Sequence, residues 1–244
     1  MGHTVTKLDE YLSRYFVTAE ELSALCDISP EALWRMVHKQ LVMQPSYIVS
    51  QSRVIESYVF GKLSCDGARN GCYFRPATKL WVRRAVDALR NADESKAYAT
   101  LKATFERNFT AALQALDRTM WRLRDCMTDD GAVIQLAMQT RLQDAWNHHL
   151  HGVFGLCVVN PESEAAIAIK EVCQEKLAAL SDNGGKEIFS YSEAEELLAV
   201  IDEYAMLSMP FSPVEYSLSS RHRLVDNLRP RVAMHGRESA GISR

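Results

Sequence analysis

Three ionisable side chains near the middle of the chain share one face of a predicted helix. Asp144, His148 and His151 are four and three residues apart, and this spacing places them together on a helix. A carboxylate with two imidazoles is a ligand set for a transition metal. However, no second helix supplies a matching Glu-x-x-His pair, and the helix dipole favours histidines in a last turn without any ligand. We therefore predict helix-end side chains with an Asp–His pair and no bound metal.

The same region supplies candidate catalytic groups. Imidazoles exchange protons near neutral pH, so His148 and His149 are candidates for acid–base catalysis. Cys157 follows in the apolar run 153–159, and a Cys–His nucleophile is one interpretation of this arrangement. Apolar neighbours on both sides favour the other interpretation, a buried and inert thiol.

A charged pair occurs in the middle of a later predicted helix. Lys170 and Glu171 lie within an amphipathic pattern, where such side chains usually face solvent. Burial of this pair would indicate a functional role, because perturbed ionisable groups cluster at functional sites.

A second set of candidate residues lies near the C-terminus. Ser219 and Ser220 can each begin a helix that has free N–H groups at its start. Those groups and the guanidinium groups of Arg221 and Arg223 could converge on the carboxylate or phosphate of a small-molecule substrate. The alternative is that Ser219 only caps the helix and that the arginines pair with nearby carboxylates such as Glu215. The sequence leaves both interpretations open, and we take Glu215 as a further candidate catalytic group.

Helices are predicted through most of the chain after residue 77. Between 95 and 127 the sequence has neither Gly nor Pro, and apolar residues recur three and four positions apart. This pattern predicts one long amphipathic helix or two collinear ones. The apolar run 153–159, bounded by Gly152 and Asn160, is the best strand candidate, and a buried irregular segment would have the same pattern. We therefore predict a mostly α-helical fold, with at most one short strand pair in the larger helical domain.

Two short helices are predicted near the N-terminus. Thr18 and Glu21 form a capping-box pattern, and Ser29 with Pro30 begins a second helix after a short turn. Together they make a helix-turn-helix pattern. The extended segment 41–49 resembles the one that follows the second helix in MerR-like and other winged modules.

A helix-turn-helix module can bind DNA with its second helix in the major groove. Residues 1–60 carry five Lys and Arg side chains against seven Asp and Glu side chains. Because phosphate contacts supply most non-specific DNA affinity, this balance disfavours DNA as a partner. We predict that the module serves packing or protein interaction.

The predicted organisation has four segments. A helix-turn-helix module, 1–60, precedes a turn-rich loop or hinge, 61–76. A helical domain, 77–232, and a flexible tail, 233–244, complete the chain.

Composition places the chain among ordinary globular proteins. Its 244 residues are 47% hydrophobic and 24% charged, which excludes a disordered or fibrous chain. A net charge of -3 argues against a whole surface built for nucleic acid or an anionic membrane. The N-terminus lacks the apolar core of a signal peptide, and no apolar run approaches the roughly 20 residues that cross a bilayer, so we expect a cytoplasmic protein. The six cysteines are widely spread, which is typical of reduced thiols.

The order of several motifs resembles an uncharacterised bacterial family. The motifs are Trp146, 152–157, Lys170-Glu171, 211–215 and 219–221. That family is described as a domain of unknown function and is labelled with natural-product biosynthesis. The resemblance covers roughly residues 18–231 and implies a role in specialised metabolism, but it implies no mechanism.

These observations lead to one functional prediction with two alternatives. We expect a bacterial enzyme that acts on a small anionic metabolite in a pocket between the region 148–157 and the segment 215–223. The alternatives are a transcriptional regulator with a helical ligand-binding domain, and an adaptor without catalytic activity. The sequence does not identify a cofactor, and it leaves the choice between monomer and homodimer open.

Overall fold

The computed structural model describes residues 5–51 and 53–241, with side chains up to residue 234. Three short helices and a five-stranded sheet occupy the N-terminal third. The helices are α1 (Lys7–Tyr15), α2 (Ala19–Cys26) and α3 (Pro30–His38). The strands are β1 (Val17–Thr18), β2 (Tyr47–Ser50), β3 (Val54–Ser57), β4 (Gly61–Ser64) and β5 (Gly71–Phe74). Their order in the sheet is β1-β5-β2-β3-β4, and each neighbouring pair is antiparallel.

Helices dominate the remainder of the chain. They are α4 (Thr78–Asn91), α5 (Glu94–Thr119), α6 (Gln135–Leu150), α7 (Val153–Cys157), α8 (Glu164–Leu180), α9 (Tyr191–Leu207) and α10 (Leu228–Gly241). A 3-10 turn, Tyr216–Leu218, and a π-helical turn, His222–Asp226, lie between α9 and α10.

The sheet corrects the predicted fold class. The prediction of a mostly α-helical chain with at most one short strand pair is wrong, because the five strands make this a mixed α/β fold. Strands β2 to β5 have only four residues each, and β4 is mostly exposed, so their hydrophobic alternation is too short to detect. Strands β4 and β5 lie within 61–76, the segment predicted as a loop or hinge. The division into four segments stays a prediction.

The N-terminal helix signals are confirmed, but the MerR-like resemblance is not. The Thr18 side chain accepts a hydrogen bond from Glu21 N in a capping box. The Ser29 side chain accepts a hydrogen bond from Ala32 N at the start of α3, with Pro30 at the first helical position. The segment 41–49 contributes β2, which pairs with β3 and β5.

The predicted strand 153–159 is wrong, because α7 occupies most of it. After α7, Val158 forms a single β-bridge to Ser208. Periodicity does not separate a short buried strand from a short buried helix, which explains the error. Gly152 turns the chain into α7 with a φ of 70°, and a Cβ there would lie 2.5 Å from Gln44 O. The glycine therefore lets α7 lie close to the loop that precedes β2.

One helix boundary also differs from the predictions. Helix α5 ends at Thr119, and the buried Asp117 carboxylate then accepts a hydrogen bond from Leu123 N at 2.7 Å. Pro230 lies in the first turn of α10, where no N–H donor is needed. Helix α10 includes residues predicted as flexible tail, and residues 242–244 of that tail lie outside the described residues.

One cluster of buried side chains joins the sheet to the helices. It extends from Leu8 in α1 through Tyr47 in β2 to Phe105 in α5. A second cluster packs α8, α9 and α10 around Tyr204. Within the described ranges, no helix combines the length and the apolar character needed to span a bilayer.

Candidate functional site

A cavity of about 560 Å³ lies between α5, α6 and α8. We call it the acidic cavity, because its ionisable lining has four carboxylates beside one arginine and one histidine. These residues are Asp125, Arg141, Asp144, His148, Glu171 and Glu175. The volume is typical of small-molecule sites.

Helical spacing brings the ionisable side chains to this cavity. On α6, Arg141, Asp144 and His148 are three and four residues apart, so they share one helix face. On α8, Glu171 and Glu175 are four residues apart and face them. Two of the three residues considered as a metal set, Asp144 and His148, are therefore brought together at the cavity.

The third residue of that set lies elsewhere. The His151 ring stacks on Tyr58, with 4.0 Å between ring centroids, and its Nδ1 is 2.7 Å from Asn147 O. Among the described residues, no group of three or more His, Cys, Asp or Glu side chains has an arrangement that could hold a metal ion.

The charged groups of the acidic cavity differ in how far they are paired. Arg141 donates a hydrogen bond to Glu175 and forms an ion pair with Asp125 at 3.6 Å. Asp144 and His148 are both exposed, and among the described residues neither has a hydrogen-bond or ion-pair partner. These two side chains are available to a ligand.

A buried lysine lies behind the cavity wall. The Lys170 side chain is only 3% exposed, and its Nζ donates hydrogen bonds to Glu171 Oε1 at 2.8 Å and Gln174 Oε1 at 2.7 Å. Burial alone would lower the pKa of Lys170, but the facing Cys157 and Glu171 groups and the hydrogen bonds outweigh it and raise the pKa. The ammonium is therefore charged and fixes the orientation of Glu171. Only the lysine of this pair is buried, because the Glu171 side chain is 38% exposed at the cavity.

Cys157 lies beside this lysine at the end of α7. Burial raises the pKa of the Cys157 thiol to about 11, although Lys170 opposes the shift. The group is therefore a neutral thiol near pH 7, and a nucleophilic role would need a base to deprotonate it. That catalytic role stays a prediction.

Hydrogen bonds connect the cavity wall with the predicted C-terminal site. Gln174 Oε1 accepts a hydrogen bond from Tyr204 OH at 3.0 Å. The same hydroxyl is 2.8 Å from Ser220 Oγ. A series of hydrogen bonds thus links Lys170, through Gln174 and Tyr204, to Ser220.

Other residues of the C-terminal segment bind the protein itself. Arg221 Nη1 donates to Ala205 O, Ser208 O and Ser208 Oγ at 2.6–2.9 Å, which satisfies carbonyl groups at the end of α9. Ser219 Oγ donates to Tyr216 O at 2.7 Å and accepts from His222 N at 3.1 Å.

The remaining arginine and the glutamate of the segment are separate from this group. Arg223 lies against Gly184, where a Cβ would come 3.3 Å from Arg223 Cγ. Arg221 is not among the hydrogen-bond partners of Glu215 within the described residues. Anion binding by Ser219, Ser220, Arg221 and Arg223 stays a prediction.

Glu215 joins the C-terminal segment to the sheet. Its carboxylate is 1% exposed and accepts hydrogen bonds from Tyr47 OH at 2.6 Å, Ser57 Oγ at 2.6 Å and Ser212 Oγ at 2.9 Å. Burial raises the pKa of Glu215, and these three donors oppose the increase. The residue does not line the acidic cavity. The geometry gives it a structural role, and its catalytic role stays a prediction.

A second cavity, of about 390 Å³, lies beside α4, α5 and α6. We call it the aromatic cavity, since Trp81 and Trp146 contribute to its wall. His149 lines it and is 5% exposed, with its ring centroid 4.4 Å from that of Trp81 and 5.3 Å from that of Trp146. Burial, and to a smaller extent the charge of Arg84, lowers the pKa of His149 to about 3. The imidazole is therefore neutral near pH 7.

Sequence reasoning identified both histidines but missed their surroundings. Trp81, Arg84 and Glu164 lie far from His149 in the sequence, and no spacing rule connects them. A glutamate in the first turn of a helix, such as Glu164 in α8, is common in sequences. Only its burial, which the sequence does not reveal, sets Glu164 apart.

Comparison with known proteins gives one match. A family model described as a family of unknown function (DUF6058) matches residues 101–233, more than half of the chain. All residues that line the acidic cavity fall between 109 and 178, inside this match, whereas the aromatic cavity takes Trp81 and Arg84 from outside it. The description supports the resemblance to a domain of unknown function and carries no natural-product label. Neither the curated proteins nor the solved structures give a match.

Proposed function

We propose that this chain, which belongs to the family of unknown function DUF6058, binds a small organic cation in the acidic cavity and exchanges a proton with it through His148. The ligand class is an amine of low molecular weight. An enzymatic role in specialised metabolism and a cytoplasmic location are parts of the same proposal.

The pairing of charges in the cavity carries the proposal. Both cations near the wall, Arg141 and Lys170, already contact carboxylates. Asp144 is left without a counter-charge at the cavity lining, beside an unpaired imidazole. A ligand ammonium about 4 Å from this carboxylate would gain between about 1 kcal/mol in bulk water and about 4 kcal/mol at the effective dielectric of a protein surface.

This ligand class differs from the anion predicted from the sequence. The anion was inferred from the arginines of the segment 219–223, which do not line the acidic cavity. The four carboxylates of the lining would repel a ligand carboxylate or phosphate, so the acidic cavity favours a ligand of the opposite charge.

The proposed chemistry follows from the two unpaired side chains. An ammonium must lose a proton before its nitrogen can act as a nucleophile. His148 can accept that proton, and Asp144, one helical turn before it, can hold the ammonium group until the transfer. Glu171, fixed by Lys170, supplies a second carboxylate at the wall.

Three compounds of nearly identical shape test the charge preference. Benzylamine, benzyl alcohol and benzoate are titrated into the full chain at pH 7.5, and affinity is measured by calorimetry. We expect benzylamine to bind and benzoate to show no binding at the same concentrations. Tighter binding of benzoate would contradict the proposal and favour the anionic substrate.

A pair of variants locates the binding. Asp144→Asn should weaken benzylamine binding about tenfold, because it removes the unpaired carboxylate. Asp66→Asn is the matched control, since it makes the same charge change at an exposed residue between β4 and β5. Equal losses in the two variants would show that general surface charge, and not the acidic cavity, attracts the amine.

A further inference from the structure

The aromatic cavity has the properties of a second small-molecule site, independent of the proposed function. Its volume of about 390 Å³ is within the range of ligand pockets. Trp81 and Trp146 provide aromatic surface, while Leu41 and Leu101 add aliphatic lining. Such walls favour a flat, apolar ring system.

The first indication of a ligand is His149. Its side chain is more than nine-tenths buried, it lines the cavity, and neither ring nitrogen has a hydrogen-bond partner among the described residues. Neither nitrogen is among the fully enclosed unpaired polar atoms of the described residues, so each keeps some accessible surface that a bonding partner in a cavity can cover. His149 also lines a separate void of about 10 Å³, which has room for at most one water molecule. The larger cavity is the space in which a ligand can bond to the imidazole.

The second indication is one oxygen of Glu164. The Glu164 side chain is 3% exposed, and its Oε1 accepts hydrogen bonds from Arg84 Nη1 at 2.9 Å and Asn108 Nδ2 at 3.3 Å. In the described part of the chain, no group donates to Oε2. Arg84 is held in place by the face of Trp81, 4.4 Å away. The carboxylate is thus fixed at the cavity with one acceptor atom unused.

These two groups define the ligand chemistry. Glu164 offers an acceptor, and a neutral imidazole offers one donor and one acceptor. Arg84 already balances the charge of Glu164, so the site favours a neutral ligand. We propose that the aromatic cavity binds a neutral, planar nitrogen heterocycle whose ring N–H donates to Glu164 Oε2 and whose ring nitrogen accepts a hydrogen bond from His149.

Three bicyclic probes test the hydrogen-bonding pattern. Benzimidazole has the ring N–H and the acceptor nitrogen, 1-methylbenzimidazole lacks the N–H, and indene lacks both. Affinity for the full chain is measured by calorimetry at pH 8, where all three probes are neutral. We expect benzimidazole to bind at least tenfold more tightly than 1-methylbenzimidazole, with indene weakest. Affinities that agree within threefold, or no binding of benzimidazole at millimolar concentration, would overturn the proposal.

Adjacent histidines provide matched variants. His149→Phe keeps an aromatic ring in the cluster but removes the ring nitrogens, and it should reduce benzimidazole affinity at least tenfold. His148→Phe, which makes the same replacement at the acidic cavity, should leave that affinity within twofold. Similar affinities in both variants would contradict the assignment to His149.

A measurement on the native sequence avoids dependence on how well a variant folds. In protein labelled with ¹⁵N-histidine, benzimidazole should shift the ring nitrogen signals of His149, and 1-methylbenzimidazole should shift them less. The His149 signals are assigned as the set missing from the His149→Phe spectrum or, if that variant does not fold, as the set that does not titrate between pH 5 and 8. Saturating benzimidazole that leaves these signals unchanged would show that the probe binds elsewhere.

Discussion

His148 and His149 are consecutive residues that face cavities of opposite character. One turn of a helix contains 3.6 residues, so consecutive side chains point about 100° apart. His148 is exposed beside carboxylates, while His149 is enclosed by Trp81, Trp146 and Phe105. The comparison shows that the residue type alone does not determine the chemistry. Burial and the charge of Arg84 keep the His149 imidazole neutral near pH 7.

The largest expected effect tests whether His149 is as desolvated as its surroundings indicate. Its folded pKa of about 3 is below the ordinary value, so the unfolded chain binds a proton that the folded chain does not. Stability from this group is complete above about pH 6.5 and is lost progressively as the pH falls toward 3. At pH 4 the loss is about 3 kcal/mol. We expect His149→Phe to avoid this loss.

Urea denaturation at pH 7.5 and pH 4 measures the effect. The free energy of unfolding should fall less between these pH values in His149→Phe than in the native chain. His148→Phe is the control and should fall as much as the native chain, because this variant keeps the buried His149 imidazole. If the free energy of unfolding falls equally in both variants and in the native chain, the His149 imidazole is not desolvated in the folded protein, and the contrast with His148 is lost.

The next effect compares one carboxylate from each cavity. Glu164→Gln removes the charge that a partly exposed Arg84 balances, and it should reduce the free energy of unfolding by about 2–3 kcal/mol, somewhat less than for a fully buried pair. Asp144→Asn should change it by less than about 0.5 kcal/mol, because the side chain is exposed and unpaired. Denaturation in urea at pH 7.5 provides both values. Equal changes would remove the distinction between a carboxylate fixed by the fold and one available to a ligand.

A third prediction concerns the independence of the two sites. Asp144→Asn should weaken benzylamine binding about tenfold, or about 1.4 kcal/mol, and leave benzimidazole binding unchanged. His149→Phe should weaken benzimidazole binding and leave benzylamine binding unchanged. Calorimetry on the two single variants and on the double variant measures the affinities for both ligands. In the double variant, each affinity should be reduced only as much as in the corresponding single variant. Loss of both ligands in either single variant would mean that the cavities are coupled through α6.

Helix starts could be predicted well from the sequence, whereas the sheet could not. Thr18 with Glu21 and Ser29 with Pro30 were identifiable because caps depend on residues three positions apart. The helical period of 3.6 residues placed Asp144 and His148, which are four residues apart, on one face. The sheet was missed because its strands are too short for a period-two pattern.

The missing parts of the two sites have a similar explanation. Burial of Lys170 depends on packing among α7, α8 and α9, which no local pattern encodes. The contact between Arg84 and Glu164 joins residues 80 positions apart. The structural role of Glu215 likewise depends on Tyr47 and Ser57 in the sheet. Long-range contacts of buried polar groups are therefore what the sequence did not predict.

The smallest expected effect is a difference in salt dependence between the two ligands. The proposed benzylamine site is electrostatic and exposed at Asp144, so added ions should screen it. Raising NaCl from 10 to 300 mM shortens the screening length from about 30 Å to well under 10 Å, and benzylamine affinity should fall about threefold. Benzimidazole is neutral at pH 8 and binds by hydrogen bonds and ring packing in the proposed aromatic site, so its affinity should change by less than about 1.5-fold. Calorimetric titrations of both probes at four salt concentrations measure the two slopes, with benzyl alcohol as the uncharged control for the first. Parallel slopes would indicate that one electrostatic surface binds both compounds, and the two histidines would then no longer mark two different kinds of site.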